Sequence, residues 1–413
     1  MQTQTTSYRP RALEDSIRST SRQFPVLLVT GPRQVGKTTL LKQLSGEERA
    51  YVTLDDLALR ELAARDPVLF LQRFPPPVLI DEIQYAPELL PYIKIDVDQT
   101  HQPGRYWLTG SQQFHMMRGV TESLAGRVAI VQMLGFSNRE RDQRRVDVDP
   151  FLPTQSLLEE RLQSGGASTL DEIFERIWLG SFPGLLAGSV QDRDLFYSSY
   201  LQTYIQRDVR DLAQIGNQAS FFRFLRACAA RTGQLLNLSD LARDTDIAVS
   251  TAREWLSILE TGMQIHLLRP YFTNTTKRLV KTPKLYFLDT GLCAYLTEWS
   301  SPATLATGAM AGSMLETWVF GEIYKSYIHR LRTPYLHFYR DKDGQEIDLL
   351  FAQDGTLFPL EIKMAATPKS AWTKSFAALD RFQTKRGPGA VLCLAPEPVP
   401  LSREDTAFPV GAI

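Results

Sequence analysis

Residues 24–38 read Phe-Pro-Val-Leu-Leu-Val-Thr-Gly31-Pro32-Arg33-Gln34-Val35-Gly36-Lys37-Thr38. The apolar run before the first glycine predicts a strand buried on both faces of a parallel sheet, because its apolar residues do not alternate with polar ones. The following eight residues have the G-x-x-x-x-G-K-[ST] spacing of a loop whose backbone N–H groups surround phosphate oxygens. This stretch predicts an α/β domain that binds a nucleotide at the end of its first strand.

The loop residues have distinct roles in this prediction. Gly31 and Gly36 let the backbone curl, Lys37 reaches the outer phosphates, and Thr38 offers its hydroxyl to Mg²⁺. A helix is expected to begin here, and its positive N-terminal end also attracts phosphate. The predicted cofactors are therefore ATP and Mg²⁺. The expected ATP-binding residues are Gly31, Pro32, Arg33, Gln34, Val35, Gly36, Lys37, Thr38 and Thr39.

A second apolar run, Pro77-Val-Leu-Ile-Asp81-Glu82, ends in two adjacent acids. We expect Asp81 to face the Mg²⁺ held by Thr38 and Glu82 to polarise the attacking water. The alternative is that this pair only begins a helix, since the residues from Glu88 onward have a helical pattern. The glycine-rich loop upstream favours the catalytic interpretation.

Two further motifs add candidates for γ-phosphate chemistry. The strand predicted over 105–109 ends in Thr109-Gly-Ser111, and Thr109 or Ser111 is placed to sense the γ-phosphate, although Ser111 would serve equally well as a helix cap. Arg127 precedes another apolar run and is a candidate arginine finger that acts on a neighbouring subunit. A surface salt bridge is the alternative for Arg127.

These motifs, in this order, resemble the AAA+-type P-loop ATPases of bacteria and archaea in which a winged helix and a restriction-endonuclease-like domain of unknown function follow the ATPase. The matching segments are Gly-Pro-Arg-Gln-Val-Gly-Lys-Thr-Thr-Leu-Leu, Leu-Ile-Asp-Glu-Ile-Gln, Leu-Thr-Gly-Ser and Ser-Leu-Ala-Gly-Arg. The resemblance covers essentially the whole chain. It implies Walker A roles for Lys37 and Thr38, Walker B roles for Asp81 and Glu82, a sensor between Thr109 and Ser111, and a finger role for Arg127.

Composition limits the class of protein. The 413 residues suggest two to four domains, and 43% hydrophobic with 22% charged residues is typical of globular proteins. Lys plus Arg equal Asp plus Glu at 46 each, so any contact with nucleic acid must come from local patches. Three dispersed cysteines favour a reducing compartment. No signal peptide or apolar span of ~18 residues is seen, so we expect a cytoplasmic protein without a membrane partner.

We divide the chain into four parts. Residues 1–138 form the P-loop ATPase domain, 139–220 a linker and helical region, 221–300 a winged-helix domain and 301–413 a nuclease-like domain. The charged run 139–145 and the prolines and glycines that follow it predict a polar linker with one short helix over 156–162.

We predict a winged helix because residues 238–260 have helix-turn-helix spacing and are followed by strand-like runs at 265–269 and 284–288. Arg253 lies on the presumed recognition helix. The basic loop before the last strand supplies Lys277, Arg278 and Lys281 as candidate phosphate contacts. The alternative is that this domain only couples the domains on either side of it.

The carboxyl-terminal domain reads as αβββαβ, the core of the PD-(D/E)XK nuclease-like fold. The predicted helices cover 312–329 and 370–383, and the predicted strands cover 335–339, 345–351, 357–363 and 390–394.

Four residues of this domain carry a candidate nuclease site. Glu361 and Lys363 are two apart on a strand and share one face, and Asp348 on the partner strand can meet them. With Glu316 from the helix, Asp348 and Glu361 would hold Mg²⁺, and Lys363 would orient the attacking water. The alternative is an exposed strand face with a cross-strand ion pair. Ile347 stands where the nuclease pattern has proline.

The expected function is that of an ATP-hydrolysing enzyme coupled to a Mg²⁺-dependent nuclease-like domain that acts on nucleic acid, with DNA as the first candidate. A homo-oligomer with Arg127 acting in trans is expected. The alternative is a nucleotide-dependent switch or DNA-binding regulator whose carboxyl-terminal domain is inactive. Binding of a divalent ion by Glu316, Asp348 and Glu361 separates the two.

Overall fold

The computed structural model describes residues 8–110, 120, 123–163, 165, 168–204, 218–273 and 281–413. Three candidate residues, Ser111, Lys277 and Arg278, lie outside these ranges. Within them, no helix combines the length and apolar character needed to cross a bilayer.

The amino-terminal domain is built on a five-stranded parallel sheet, as predicted. Its order is β2-β3-β4-β1-β5, and Val26 of β1 lies in register with Tyr106 on one side and Val128 on the other. The strands are β1 (Val26–Thr30), β2 (Ala50–Thr53), β3 (Val78–Asp81), β4 (Tyr106–Gly110) and β5 (Val128–Gln132). The helices are α1 (Glu14–Ser21), α2 (Lys37–Ser45), α3 (Leu57–Arg65), α4 (Pro67–Arg73) and α5 (Leu89–Thr100), with a 3-10 turn at Ile83–Tyr85.

This strand order positions the predicted nucleotide site. Because all five strands are parallel, the loops that follow β1, β3 and β4 leave the same edge of the sheet. Strand β4 separates β1 from β3, so the end of β4 lies between the glycine-rich loop and the acidic pair. The three predicted motifs are therefore neighbours in space.

The segment predicted as a polar linker is instead packed into the protein. It contains α6 (Asn138–Arg141) and α7 (Gln155–Gln163), and the side chains of Arg139 and Glu140 are buried. Glu140 is tolerated there because it accepts hydrogen bonds from Arg11 and from two backbone N–H groups. The charged run therefore joins the domains rather than separating them.

The middle of the chain is helical and contains a small antiparallel sheet of order β6-β8-β7. The predicted helix-turn-helix and the two strands after it are present in the expected order. The helices are α8 (Leu170–Leu179), α9 (Pro183–Leu186), α10 (Arg193–Tyr204), α11 (Gln218–Ala229), α12 (Leu238–Asp244), α13 (Val249–Thr261), α14 (Thr290–Leu296) and α15 (Pro302–Thr307). The strands are β6 (Gln234–Leu235), β7 (Ile265–Leu268) and β8 (Lys284–Phe287).

The carboxyl-terminal domain packs one long helix and a 3-10 helix against a seven-stranded mixed sheet. The sheet runs β14-β15-β13-β11-β10-β9, with β12 beside β11. Its elements are α16 (Ala311–Ile328), β9 (Leu336–Arg340), β10 (Glu346–Gln353), β11 (Thr356–Lys363), the 3-10 helix Ser370–Arg381, β12 (Lys385–Arg386), β13 (Gly389–Cys393), β14 (Val399–Pro400), β15 (Asp405–Pro409) and a 3-10 turn at Val410–Ala412.

Two features of this domain differ from the prediction. Strands β12, β14 and β15 extend the sheet beyond αβββαβ. The second helix is a 3-10 helix whose buried residues are Phe376, Ala378 and Leu379, and the two large ones, Phe376 and Leu379, are three apart. A three-residue spacing suits the 3.0 residues per turn of a 3-10 helix better than the 3.6 of an α-helix.

One hydrophobic cluster unites the three parts of the chain. It contains Leu27 and Val131 of the parallel sheet, Leu259 of the middle region, and Trp318 and Leu360 of the carboxyl-terminal domain. Because the core is shared and closely packed, a displacement of one domain disturbs the side-chain packing of the others.

Candidate functional site

The loop after β1 needs glycine at two positions. Gly31 has φ +152°, and a Cβ added there would lie 2.0 Å from the carbonyl oxygen of Met133. Gly36 has φ +92° and is the N-cap of α2. A side chain at Gly31 is excluded by space and one at Gly36 by backbone conformation, so the sequence motif and the loop shape agree.

Lys37 lies inside this loop. Its ammonium donates hydrogen bonds to the carbonyl oxygens of Gly31 at 2.9 Å and Pro32 at 2.7 Å, and the residue is only 6% exposed. The Lys37 ammonium thus lies at the centre of the loop and donates to neutral carbonyl oxygens. A phosphate oxygen is a stronger acceptor for a charged donor and can replace them.

Asp81 connects the three motifs. Its Oδ1 accepts a hydrogen bond from the hydroxyl of Thr38 at 2.8 Å and another from the hydroxyl of Thr109. The Thr109 hydroxyl also accepts a hydrogen bond from the backbone N–H of Glu82 at 3.1 Å. The predicted metal, catalytic and sensor residues of this region therefore belong to one hydrogen-bonded group, which we call the ATP site together with residues 31–39.

The donor set of the ATP site fits Mg²⁺. Thr38 and Asp81 present a hydroxyl and a carboxylate next to each other, and Mg²⁺ takes such hard oxygen ligands together with water and phosphate. Glu82 adopts a left-handed backbone conformation with φ +58°, and its carboxylate accepts a hydrogen bond from the amide of Gln84. Glu82 is half-buried.

Tyr51 is a member of the ATP site that the sequence reasoning missed. Its hydroxyl donates to Oδ2 of Asp81 at 3.1 Å, and Lys42 lies 3.5 Å over its ring. Burial, helped by the charge of Asp81, raises the pKa of Tyr51 to about 12, so it stays a donor at neutral pH. Tyr51 meets Asp81 because β2 and β3 are neighbours in the sheet. No local sequence motif indicates this contact.

Arg127 lies at the opposite edge of the sheet from the glycine-rich loop. It precedes β5, and its guanidinium pairs with Asp98 and donates to the carbonyl oxygen of Ala125 at 2.9 Å. A five-residue strand is roughly 17 Å long, so Arg127 does not reach the ATP site of its own chain. A finger role in trans stays a prediction.

The carboxyl-terminal candidates also lie together. Asp348 Oδ2 accepts a hydrogen bond from the backbone N–H of Ile362 at 2.8 Å and lies 3.5 Å from the ammonium of Lys363. That ammonium also pairs with Glu361, whose other carboxylate oxygen accepts a hydrogen bond from Ser375 at 3.0 Å. Asp348, Glu361 and Lys363 thus share one face of the sheet, as predicted from strand alternation.

Glu316 reaches this neighbourhood from α16, but its carboxylate is held by two residues of β8. Lys284 donates to Glu316 at 3.0 Å and Tyr286 donates to the same oxygen at 2.6 Å. The Lys284 ammonium, on a residue only 3% exposed, also pairs with Glu346 at 2.6 Å. We call these acids and lysines the carboxylate–lysine cluster: Lys284, Glu316, Glu346, Asp348, Glu361 and Lys363.

The charges of the cluster alter its pKa values. Burial first, and the nearby charge of Asp348 second, raise the pKa of Glu316 and raise that of Glu361 to about 8. Burial alone would lower the pKa of Lys284, but the surrounding carboxylates outweigh it and raise the pKa. Both lysines of the cluster therefore remain charged at neutral pH.

The predicted Mg²⁺ site of Glu316, Asp348 and Glu361 is not formed. The described residues contain no group of three or more His, Cys, Asp or Glu side chains that could hold a metal ion. The physical reason is that Lys284 and Lys363 already occupy oxygens of these carboxylates. Lys284 and Tyr286 lie in the strand that the sequence assigned to a wing, and their spacing carries no signal of this contact.

The described nucleic-acid candidates are both at the surface. Arg253 is exposed on α13 with Glu254 beside it, and Lys281 is exposed just before β8. Their predicted contacts with phosphate stay predictions.

Three family models match this chain. Residues 23–141 match an AAA domain, 170–303 a domain of unknown function (DUF8612) and 311–413 another domain of unknown function (DUF4143). With the geometry above, the first match identifies the amino-terminal domain as a P-loop ATPase domain of the AAA type.

Curated relatives and solved structures are also similar to the chain. The uncharacterized proteins Rv2008c of Mycobacterium tuberculosis and Mb2031c of Mycobacterium bovis are each 30% identical over 367 residues, which is 88% of this chain and 76% of theirs. The Walker-type ATPase PABY2304 of Pyrococcus abyssi is 16% identical, with a TM-score of 0.43 over 70% of this chain and 99% of that one. The Thermotoga maritima RuvB Holliday junction branch migration motor is 16% identical, with a TM-score of 0.27 over 62% and 86%.

Proposed function

We propose that this chain, which belongs to the same protein family as Rv2008c and Mb2031c, binds and hydrolyses ATP and uses that cycle to control a carboxyl-terminal domain that acts on nucleic acid. The observation that carries the ATPase proposal is the position of Asp81. Its carboxylate binds Thr38 of the loop and Thr109 of the third strand in one group.

Each residue of the ATP site has a task in hydrolysis. Loop N–H groups and Lys37 bind the β- and γ-phosphates, and Thr38 and Asp81 would hold Mg²⁺, which neutralises phosphate charge when it is bound. Glu82 accepts a proton from the attacking water as a general base. Thr109 bonds both Asp81 and the backbone of Glu82, so it fixes the two acids relative to each other.

The substitution Lys37→Ala tests the ATPase proposal. We expect it to abolish ATP hydrolysis, measured as phosphate release under steady-state conditions. Arg65→Ala is the matched control, because Arg65 is exposed in the same domain and pairs with Glu61 rather than with the loop. Full ATPase activity in the Lys37→Ala protein would refute the assignment.

For the carboxyl-terminal domain, we propose phosphodiester cleavage as the first candidate. Its support is the shared face of Asp348, Glu361 and Lys363, in which a lysine stands beside two acids. In this proposal Lys363 orients the attacking water, and the carboxylate of Glu361, whose raised pKa makes it a stronger base, accepts the proton of that water as the new P–O bond forms. The P–O bond to the departing sugar oxygen breaks, and that oxygen takes a proton from solvent. No step is assigned to a metal, because the acids do not form a metal-binding group here.

The second candidate is nucleic-acid binding without cleavage. Its support is Lys284, which holds Glu316 and Glu346 as a permanent counter-ion in place of an exchangeable metal. A domain of this kind would serve a nucleotide-dependent switch or regulator.

A cleavage assay separates the two candidates. The wild type, Asp348→Ala and Asp354→Ala are incubated with single- and double-stranded DNA and RNA, with Mg²⁺ or Mn²⁺, and with or without ATP. Asp354 is the control because it is exposed in the turn between β10 and β11. Cleavage lost only in Asp348→Ala supports the nuclease, whereas no cleavage of any substrate supports the binding-only domain.

Helix α16 supports the proposed coupling between the two ends of the chain. Glu316 lies near its start, and its second half contacts the segment that follows β5. There, Lys325 donates to the carbonyl oxygen of Phe136 at 2.9 Å, and the N–H of Asn138 donates to Glu322 at 2.8 Å.

The same segment is linked to the glycine-rich loop through Arg11. Its guanidinium donates to the carbonyl oxygen of Val35 in the loop at 3.0 Å and to Glu140 at 3.0 Å, and Glu140 lies 3.6 Å from His329 at the end of α16. These buried contacts connect the loop and the helix without a break. A change of loop shape on nucleotide exchange can therefore reach Glu316.

A homo-oligomer in which Arg127 completes a neighbour's ATP site is part of the proposal. It predicts that ATPase activity per molecule rises with protein concentration in the wild type and that Arg127→Ala loses this rise while folding normally. Arg65→Ala, which removes an exposed arginine paired with Glu61, is the control. Activity that is independent of concentration in the wild type would contradict the trans role.

A further inference from the structure

A groove between the middle region and the edge of the carboxyl-terminal sheet has the chemistry of a polyanion site. We call it the β9 groove; it has a volume of about 640 Å³ and is lined by the end of β9 and by residues on both sides of it. The lining residues on which the argument depends are Phe272, Lys281, Arg340, Lys342, Arg381 and Phe382.

The groove is strongly basic in a chain whose charges balance. Among the lining residues that the structure describes, four are cationic, Lys281, Arg340, Lys342 and Arg381, and one, Asp341, is an acid. Asp341 is paired with Arg381 at 2.8 Å, so its charge is already offset. All four cations are exposed, which leaves them able to contact a ligand in the groove.

Aromatic rings lie among these cations. Phe272 and Phe382 line the groove and are half-buried. The ring of Phe382 packs against those of Tyr271 and Tyr339, at centroid distances of 5.3 and 5.8 Å. Cations that follow a phosphate backbone, interleaved with rings on which unpaired bases stack, are the elements of a single-strand binding surface.

The groove adjoins the carboxylate–lysine cluster. Arg340 lies opposite Glu346 in the β9–β10 pair, and their side chains are 3.4 Å apart. Glu346 in turn pairs with Lys284, which holds Glu316. A strand bound in the groove therefore passes beside Glu346, a member of the carboxylate–lysine cluster, and a phosphate that attracts Arg340 competes with Glu346.

We propose that the β9 groove binds single-stranded nucleic acid and delivers it to the carboxylate–lysine cluster. The proposal rests on the proposed function, since it assigns the path of the nucleic acid to this groove instead of to α13. It makes Lys281 the phosphate contact of the middle region and leaves Arg253 without a role in this binding.

The test is fluorescence anisotropy with a labelled oligothymidylate of roughly twelve nucleotides and with the corresponding duplex. The double substitution Lys281→Gln/Lys342→Gln is expected to weaken single-strand binding about tenfold and to reduce the slope of log affinity against log salt by about 1.4, or ~0.7 for each lost phosphate contact. Phe272→Leu is expected to weaken binding about tenfold with an unchanged salt slope, because it removes stacking and not charge. Thermal melting and ATPase rate of each variant establish that it is folded.

Arg65→Gln and Arg253→Gln are the matched controls, since each removes one exposed arginine elsewhere. Three results would contradict the proposed role of the groove. The double variant could bind the single strand with wild-type affinity, Arg65→Gln could lose as much affinity as the double variant, or binding of the duplex could depend on Arg253. Equal displacement by polyglutamate would also overturn it, since the groove would then be a general polyanion surface. Failure of the wild type to bind any oligonucleotide would instead refute the proposed function of the domain.

Discussion

The ATP site and the carboxylate–lysine cluster are both groups of acids beside a lysine, but they differ in how they are assembled. In the ATP site, Lys37 and Thr38 are adjacent in the chain, and Asp81 joins them by one hydrogen bond from a neighbouring part of the same sheet. In the cluster, the lysine that holds Glu316 comes from β8, in another region of the protein. The first group is a local motif and the second is a product of tertiary packing.

This difference affects what each lysine does. Lys37 donates to the neutral carbonyl oxygens of Gly31 and Pro32, and it can exchange these acceptors for phosphate. Lys284 is bound by two carboxylates and lies buried between them. The ATP site is therefore arranged to accept a ligand, whereas the cluster is held by its own counter-ion.

The largest expected effect comes from the buried ion pair between Arg11 and Glu140, next to the glycine-rich loop. Glu140→Gln should lower the free energy of unfolding by about 3–5 kcal/mol, because it leaves the buried Arg11 guanidinium without its charged partner. Urea unfolding followed by circular dichroism measures this. The matched variant Glu61→Gln breaks the exposed pair with Arg65 and should cost at most about 1 kcal/mol. Similar losses in both variants would show that the buried pair does not support the site.

The next effect tests the catalytic role of the ATP site. Glu82→Gln should reduce ATP hydrolysis roughly 100-fold or more, because the amide cannot accept the proton of the attacking water. Binding of a fluorescent ATP analogue should persist, since Glu82 does not belong to the loop. Glu88→Gln, an exposed acid six residues further on, serves as the control. Unchanged hydrolysis in Glu82→Gln would remove Glu82 from the mechanism.

The third prediction sharpens the contrast between the two lysines. Lys284→Met removes the counter-ion shared by Glu316 and Glu346, and leaves the four carboxylates of the cluster with Lys363 and the exposed Arg340. Affinity for Mn²⁺ without nucleotide should rise about tenfold, equivalent to about 1.4 kcal/mol, in isothermal titration calorimetry. Adding Asp348→Asn should cancel the gain, and Lys42→Met should not produce one. If Lys284→Met binds no more Mn²⁺ than the wild type, Lys284 is not what prevents metal binding.

The last effect, equal in size to the third, concerns His329, which lies between the two regions. Burial lowers the pKa of His329 to about 4 from 6.5, although Glu140 opposes the shift. Its contribution to stability is therefore complete above about pH 6.5 and is lost as the pH falls toward about 4, because the unfolded chain takes up the proton first. The wild type should lose about 1.4 kcal/mol more than His329→Gln between about pH 7.5 and pH 5.5 in urea unfolding. Equal losses would show that His329 is not buried as a neutral group.

The parts of the structure that the sequence predicted are those fixed by local geometry. Gly31 and Gly36 are required by backbone shape, and the apolar runs around them predict a parallel sheet, which was confirmed. Strand alternation also placed Glu361 and Lys363 on one face beside Asp348.

The parts that it did not predict depend on distant contacts. The run 139–145 looked like a solvated linker because charges usually face water, but Glu140 is satisfied by N–H donors from Arg11, Ala12 and Ser137. Lys284 gave no sign that β8 would pack its side chain against α16. The sequence shows which residues are charged. It does not show which distant residues will pair with them in the folded protein.

The most direct test measures whether the nucleotide bound at the ATP site changes the affinity of the carboxyl-terminal domain for nucleic acid. Affinity for labelled single-stranded DNA is measured by anisotropy with a non-hydrolysable ATP analogue, with ADP and without nucleotide, in the wild type and in Lys37→Ala. We predict an affinity that differs several-fold between the analogue and ADP in the wild type, about 1 kcal/mol of coupling, and no such difference in Lys37→Ala. The same affinity in every nucleotide state of the wild type would contradict the account.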